Sequence, residues 1–330
     1  MIRAIEYRRF GGPEVLEEVD RPEQAPDDGE VRIAVRAVGL NPIDFKIFEG
    51  DLQPVERVQR LIHPRRWLEG ASARFPRGVA RDFAGVIDAV GAGVTGLAVG
   101  DAVLGTLRSA PGQADTRGAL TTALVAPAAD VIRKPAPLSF TQAACLGVAS
   151  QTACGAFRQL DLRDGDVIVI SAAADGVGSI AAQLALSRSA TVIGIAGARN
   201  TDYLRSLGTI PVAYGENLTS RVREAAPAPV TKLLDCYGRG YVTLGRELGL
   251  PGRSIGTLVP SPAAILRGAQ FTGGRHGGRG DLEEVAQLVA DDAIKVEIAH
   301  TYSLTVEQVR AAYTELARGH VRGKLVVDLS

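Results

Sequence analysis

The sequence predicts an α/β protein in two parts, a β-rich, barrel-like part and a doubly wound parallel sheet. Three observations carry this. Residues 1–125 read as short strands separated by glycine-rich turns. From about residue 138, strands and helices alternate, the rhythm of parallel βαβ units. Residues 165–178, Gly-Asp-Val-Ile-Val-Ile-Ser-Ala-Ala-Ala-Asp-Gly-Val-Gly, spell a buried strand, a small-residue turn and a helix start.

In order along the chain, Met1-Ile-Arg-Ala-Ile-Glu-Tyr alternates like a first strand, and Val31–Val38 alternates strictly. Gly85–Val94 is strand plus turn, and Asp101-Ala-Val-Leu follows a glycine. Residues 141–160 are helical in composition. Strands are then expected at 167–170, 191–195, 211–213, 231–235 and 254–258, with helices at 177–188, 201–207, 217–225 and 239–249. After Gly268 come Phe271-Thr272, a glycine-rich loop (273–280), a helix (281–291), a strand (294–298), a helix (305–318) and a strand (324–328). This tail lacks the βα rhythm, so it is expected to return to the first part. The domains implied are 1–125, 126–268 and 269–330, with the middle one inserted into the other.

Composition narrows the function. The 330 residues exceed one ordinary domain, and 37 basic against 37 acidic residues leave no field favouring nucleic acid or membrane. Only five of the basic residues are lysine (46, 134, 232, 295 and 324). Cys145, Cys154 and Cys236 lie far from C-x-x-C spacing and read as buried small hydrophobes. The alternating start does not read as a signal peptide, and no apolar run would span a bilayer. A cytoplasmic location is expected.

The turn at 172–178 is the most informative stretch. Free amides and the positive end of a helix converge after such a strand, which makes a phosphate cradle. Against G-x-G-x-x-G, the three glycine positions hold Ala173, Asp175 and Gly178. The middle glycine normally lets the backbone approach a pyrophosphate, and here a carboxylate stands there. Either Asp175 caps the helix by accepting amides from Val177 or Gly178, or it weakens dinucleotide binding.

The order Val38-Gly-Leu-Asn-Pro-Ile-Asp, Asp82-Phe-Ala-Gly-Val, Val99-Gly-Asp-Ala-Val, Gln151-Thr-Ala, Ala172-Ala-Ala-Asp-Gly-Val-Gly, Asp235-Cys-Tyr-Gly and Val321-Arg-Gly-Lys-Leu-Val resembles the medium-chain dehydrogenase/reductase superfamily. Within it, the chain is similar to the zinc-independent quinone oxidoreductases, over nearly its whole length. The resemblance implies a GroES-like catalytic domain with an inserted Rossmann domain, a cleft between them, NADPH as cofactor, a small-molecule substrate and a homodimer.

Zinc-dependent relatives carry a cysteine, a Gly-His-Glu and a four-cysteine lobe. Here those places read Asn41-Pro42-Ile43-Asp44 and Ala80-Arg81-Asp82, the lobe is absent, and His63, His276, His300 and His320 are scattered. No metal is expected. About 20 residues after the glycine turn, an acid would select NAD by its ribose hydroxyls. The chain instead gives Ala196-Gly197-Ala198-Arg199, a guanidinium where a 2′-phosphate would sit. The resemblance adds Tyr214 near the same phosphate and a serine that Gly197 replaces. Arg199 opening a surface helix is the bland alternative. With Ala173, Asp175, Gly176 and Val177 at the cradle, NADPH is favoured.

For the reacting end, the resemblance points to Asn41 and Thr152 as hydrogen-bond donors to a developing enolate or quinol oxygen. Asn-Pro is also a turn signal. Relatives often carry a tyrosine where this chain has Phe45, so that hydroxyl is missing. The segment 51–78 is longer than in relatives, rich in arginine and home to the only tryptophan. It reads as a surface helix or as a lid touching substrate through Arg65, Arg66 and Trp67. The expectation is a reductase of quinones or α,β-unsaturated carbonyl compounds. The alternative is a redox-inactive lyase, cyclase or isomerase using the same cleft.

Overall fold

The first strands pair antiparallel. β1 (Ile2–Tyr7), β2 (Leu16–Arg21) and β3 (Glu30–Leu40) lead into α1 (Pro42–Glu49), β4 (Arg77–Gly78), β5 (Asp82–Val90) and β6 (Ala102–Thr106). Then follow β7 (Ala123–Pro127), β8 (Val131–Arg133) and α2 (Phe140–Ala144). The structure, a computed structural model, describes residues 1–51, 75–107, 117–238, 240–259 and 261–330. Arg65, Arg66 and Trp67 lie outside the described residues.

Two compact units divide the chain. One is Met1–Gly147 with Ile298–His320 and Lys324–Ser330; the other is Val148–Glu297 with Val321–Gly323. In the first, among the described residues, β2-β1-β4 form one sheet and β15-β16-β3-β5-β6-β8 another, with β7 also on β3. Here β15 is Ile298–Ser303 and β16 is Lys324–Asp328, separated by the helix Val306–Arg318. In β3, Val31, Ile33, Val35 and Ala37 are buried on one side of the pleat, as strict alternation requires.

The second unit opens with α3 (Gly147–Leu160) and alternates thereafter. Its elements are β9 (Val167–Ser171), α4 (Gly176–Ser187), β10 (Thr191–Ala196), α5 (Thr201–Ser206), β11 (Ile210–Ala213) and α6 (Leu218–Ala225). They continue through β12 (Lys232–Asp235), α7 (Tyr241–Glu247), β13 (Ile255–Thr257), α8 (Pro262–Leu266), β14 (Gln270–Phe271) and α9 (Arg279–Ala290). The helix Val306–Arg318 is α10. All the pairings are parallel, in the order β11-β10-β9-β12-β13-β14. Numbered within the unit this is 3-2-1-4-5-6, the doubly wound dinucleotide-binding order. Every residue of β9 is buried, as a strand covered by helices on both faces demands.

Two boundaries differ from the sequence reading. A break at 125/126 would cut β7 in half, and β7 and β8 pair with β3 and β6 of the first unit. The return begins at Ile298 rather than 269, because β14 adds a further parallel strand and α9 stays in the second unit. The helix expected over 141–160 is two helices, α2 and α3. Gly147 begins the second where a Cβ would lie 2.3 Å from Asp82 Oδ1. The strand expected at 294–298 starts only at Ile298. Ahead of it, Lys295 N donates to Gln183 Oε1 (2.8 Å) and Gln183 Nε2 donates to Lys295 O (2.9 Å), so a side-chain amide replaces the ladder.

Candidate functional site

The second unit places its cradle at the sheet's switch point, where β9 lies between β10 and β12 and ligands of such sheets gather. After β9, Ala172 takes a left-handed φ of 49° and Ala173 N donates to Ile195 O (3.0 Å), tying the turn to β10. Ala173 is fully buried beneath it. Gly178 is needed for packing, since a Cβ there would lie 2.1 Å from Ala172 O. Gly176 and Val177 form the first turn of α4. Gly323 N donates to Ala174 O (2.8 Å), and Gly323 bridges to Asp175, closing the turn from the chain's return.

Asp175 occupies the N-cap position of α4 with extended backbone (φ −84°, ψ 175°), but its side chain makes no capping bond. The capping reading is therefore corrected: position alone does not cap, because the carboxyl must also turn back onto the amides. Burial pushes this half-buried carboxyl up to about 6, with Arg199 pulling the other way. Arg199 is exposed in the short turn Ala198–Asn200 just past β10. Tyr214 N donates to Ala196 O (3.0 Å), and a Cβ on Gly197 would lie 3.2 Å from the Tyr214 hydroxyl. The bare glycine makes room for the tyrosine. Ala173, Asp175, Gly176, Val177, Arg199 and Tyr214 thus gather at the carboxyl ends of β9 and β10.

A second group at these strand ends was read only as part of a motif, with no role assigned to it. Asp235, buried at the end of β12, accepts from Ser171 Oγ (2.9 Å), Tyr237 N (3.0 Å), Gly238 N (2.8 Å) and Thr257 Oγ1 (2.9 Å). It fastens β9, β12 and β13 together beneath the site. Its signal was a lone carboxylate ending the apolar run Lys232-Leu-Leu-Asp. Thr152, half-buried on α3, lies beside the glycine-rich turn, 3.6 Å from where a Cβ on Gly274 would stand. Its hydroxyl makes no hydrogen bond with a described residue.

In the first unit, Asn41 ends β3 and opens α1, with Pro42 at the first helical position. Asp44 accepts from Asn41 N at 2.8 Å. Asn41 Nδ2 donates to Asp82 Oδ2 (2.9 Å) and, more weakly, to Gly39 O (3.4 Å). Lys324 Nζ donates to Asn41 Oδ1 (2.5 Å) and lies 3.7 Å from Asp82 Oδ2. All four residues are buried. The Asn41 amide is held by this network at the junction of β3 and α1. Burial and the Asp82 charge push Asp44 up to about 7. Tyr313 of α10 lies against Asp44 and is raised well above an ordinary phenol, chiefly by burial. Phe45, one residue along α1, is half-buried.

These positions hold no thiolate or imidazole set. Beside Asn41 and Asp82 this chain has an ammonium of its own, Lys324. Among the described residues, one cluster elsewhere, Cys154, Asp281 and Glu284, brings its ligand atoms within 4.8 Å of one another. Its carboxylates are already paired, Arg158 with Asp281 (2.7 Å) and Arg188 with Glu284 (2.9 Å).

The chain matches the family described as alcohol dehydrogenase GroES-like domain over residues 27–136, and zinc-binding dehydrogenase over 213–327. It is 30% identical to the quinone oxidoreductase of Pseudomonas aeruginosa, covering 99% of both chains. The chain belongs to the medium-chain dehydrogenase/reductase superfamily. Among solved members, the quinone oxidoreductase of Coxiella burnetii superposes with a TM-score of 0.81 at 28% identity, covering 100% of this chain and 99% of the other. The quinone oxidoreductase of Escherichia coli, complexed with NADPH, gives 0.79 at 25% identity and 99% coverage of both. This member is therefore an oxidoreductase of the NAD(P)-dependent type, built from a GroES-like and a Rossmann domain.

Proposed function

We propose that the protein is a zinc-independent, NADPH-dependent reductase of quinones or α,β-unsaturated carbonyl compounds. The observation that carries the cofactor choice is the end of β10: Arg199 and Tyr214 stand there, and Ala196-Gly-Ala-Arg199 offers no carboxylate to hold ribose hydroxyls. The first-turn amides of α4 are left uncapped by Asp175, which suits a pyrophosphate. When bound, the nicotinamide would supply a hydride to the substrate. The chain's part is to hold the adenosine phosphate at Arg199 and Tyr214, seat the pyrophosphate at Gly176 and Val177, and offer the Thr152 hydroxyl toward bound ligand. The substrate class rests on the family's quinone oxidoreductases. We extend the proposal to a homodimer in the cytoplasm; the unpaired thiols Cys145, Cys154 and Cys236 suit a reducing compartment.

Titration calorimetry tests the cofactor. NADPH is expected to bind more tightly than NADH by roughly 1.5–3 kcal/mol, the range of a charge-assisted contact. Arg199→Ala should remove that preference and leave NADH affinity unchanged. Equal affinities in the wild type would overturn it. NADPH oxidation followed against a panel of quinones and enones then tests the substrate class, and turnover of neither would refute it.

A further inference from the structure

Asp175 has none of the ordinary reasons to stand in a phosphate cradle. It is placed as an N-cap yet does not cap, and its carboxyl makes no hydrogen bond with a described residue. Its backbone is pinned, since Asp175 N donates to Ala172 O (2.9 Å), Ser179 N donates to Asp175 O (2.9 Å), and Gly323 bridges to it. The residue therefore cannot swing out of the turn as a whole. What surrounds the carboxyl is mostly unhelpful to an anion. Of the described titratable groups that interact with it, only Arg199, past β10, is a cation. The Cys236 thiol after β12 and the Tyr241 phenol on α7 are both neutral, and Asp175 helps keep each so. Gly323 contributes backbone only. A pyrophosphate seated on the α4 amides would add two negative charges to this setting. An ionised carboxylate there repels it, whereas a neutral carboxylic acid is a hydrogen-bond donor.

We propose that Asp175 binds the cofactor's pyrophosphate as the neutral acid, donating its O–H to a pyrophosphate oxygen, so that cofactor binding takes up a proton from solvent. The inference rests on the NADPH reading above. Burial already holds the free carboxyl at about 6, and the bound pyrophosphate drives it higher. The sign follows. Below about pH 6 the acid is present beforehand and binding needs no proton. Above it, affinity falls with rising pH, toward tenfold per pH unit, until the carboxyl ionises within the complex.

The test is NADPH titrated into the full chain at pH 7.5, in buffers of different ionisation enthalpy, for wild type, Asp175→Asn and Asp175→Gly. The wild type should take up close to one proton more than Asp175→Asn, whose amide donates without titrating. Between pH 7 and 8.5 its affinity should fall against the Asn variant by roughly tenfold per unit. Subtracting the Asn variant removes the cofactor's own 2′-phosphate, which titrates near pH 6. Equal proton counts with parallel pH profiles would overturn the proposal and leave the NADPH reading standing. Tight binding by Asp175→Gly alone, with none by wild type at any pH from 5.5 to 8.5, would also overturn it, leaving a merely repulsive carboxylate. Binding by none of the three would sink the NADPH reading and this inference with it. Should the variants fail to fold, zero proton uptake by the wild type suffices to refute it.

Discussion

Lys324 is a buried ammonium whose partners, Asn41 Oδ1 and Asp82, are themselves buried. Removing one member of such a group strands a charge without solvent. Lys324→Met is expected to destabilise the fold by about 3–5 kcal/mol, read from the denaturation midpoint, and Asp82→Asn added to it should restore part of the loss. No recovery in the double variant would mean the pair is not coupled. Asp44 gives a pH signature. Its folded carboxyl sits at about 7 against an ordinary 3.8, so the folded state keeps a proton that the unfolded chain has lost. Stability relative to Asp44→Asn should be greatest below about pH 4, fall as pH rises to about 7, and stay level above. A flat difference across that window would refute the assignment. Sequence reading picked out Asn41 through the family resemblance but could not see how it is used. Lys324 lies 283 positions away and Asp82 lies 41 away, and no spacing rule joins them. One hint was available: a chain that writes nearly all its cations as arginine keeps a lysine inside an apolar final strand.

At the level of elements, the strand–turn–helix at the cradle was the most legible part. The strand read at 167–170 is β9 (Val167–Ser171), and the helix read at 177–188 is α4 (Gly176–Ser187). Local chemistry decides both: an unbroken β-branched run, then small residues that let a helix start against the strand. Gly178 is the piece that the packing cannot spare. Gly178→Ala would put a Cβ 2.1 Å from Ala172 O, so the turn must open, at a cost of about 1–3 kcal/mol. Opening it also displaces the amides of Gly176 and Val177, so on the proposed reading dinucleotide affinity should drop together with the melting temperature. Unchanged values for both would show that the cradle is looser than its geometry. Misreadings came where one side chain replaced a local rule. Gln183 satisfies Lys295 in both directions, so Ile294 is buried without forming a strand. Asp175 sits at a cap position and does not cap.

For the whole molecule, alternation of strands and helices was enough to announce a doubly wound sheet. The order 3-2-1-4-5-6 follows from right-handed parallel crossovers, which leave few alternatives. The boundaries were less legible, because β7 and β8 pair far back along the chain, with β3 and β6, and such partnership leaves no mark in local composition. The same long-range pairing bears on the metal-free reading proposed for the site. A catalytic zinc site wants thiolate or imidazole donors around an open position. The equivalent stretches here supply Asn41, Asp44 and Asp82, of which Asn41 is bonded to both carboxylates and to an internal cation, Lys324. A divalent ion entering there would have to displace an ammonium and break the hydrogen bonds that set the end of β3. The other candidate among the described residues, Cys154 with Asp281 and Glu284, would have to shed two arginines, and burial has pushed its thiol up to about 12, far from the thiolate a metal needs. On the proposed reading, protein dialysed against a strong chelator should therefore keep its reductase rate and its melting temperature, and elemental analysis of the purified chain should find no stoichiometric zinc. Activity lost to the chelator and regained with zinc would show that these residues rearrange to hold a cation, and would overturn the metal-free reading of the site.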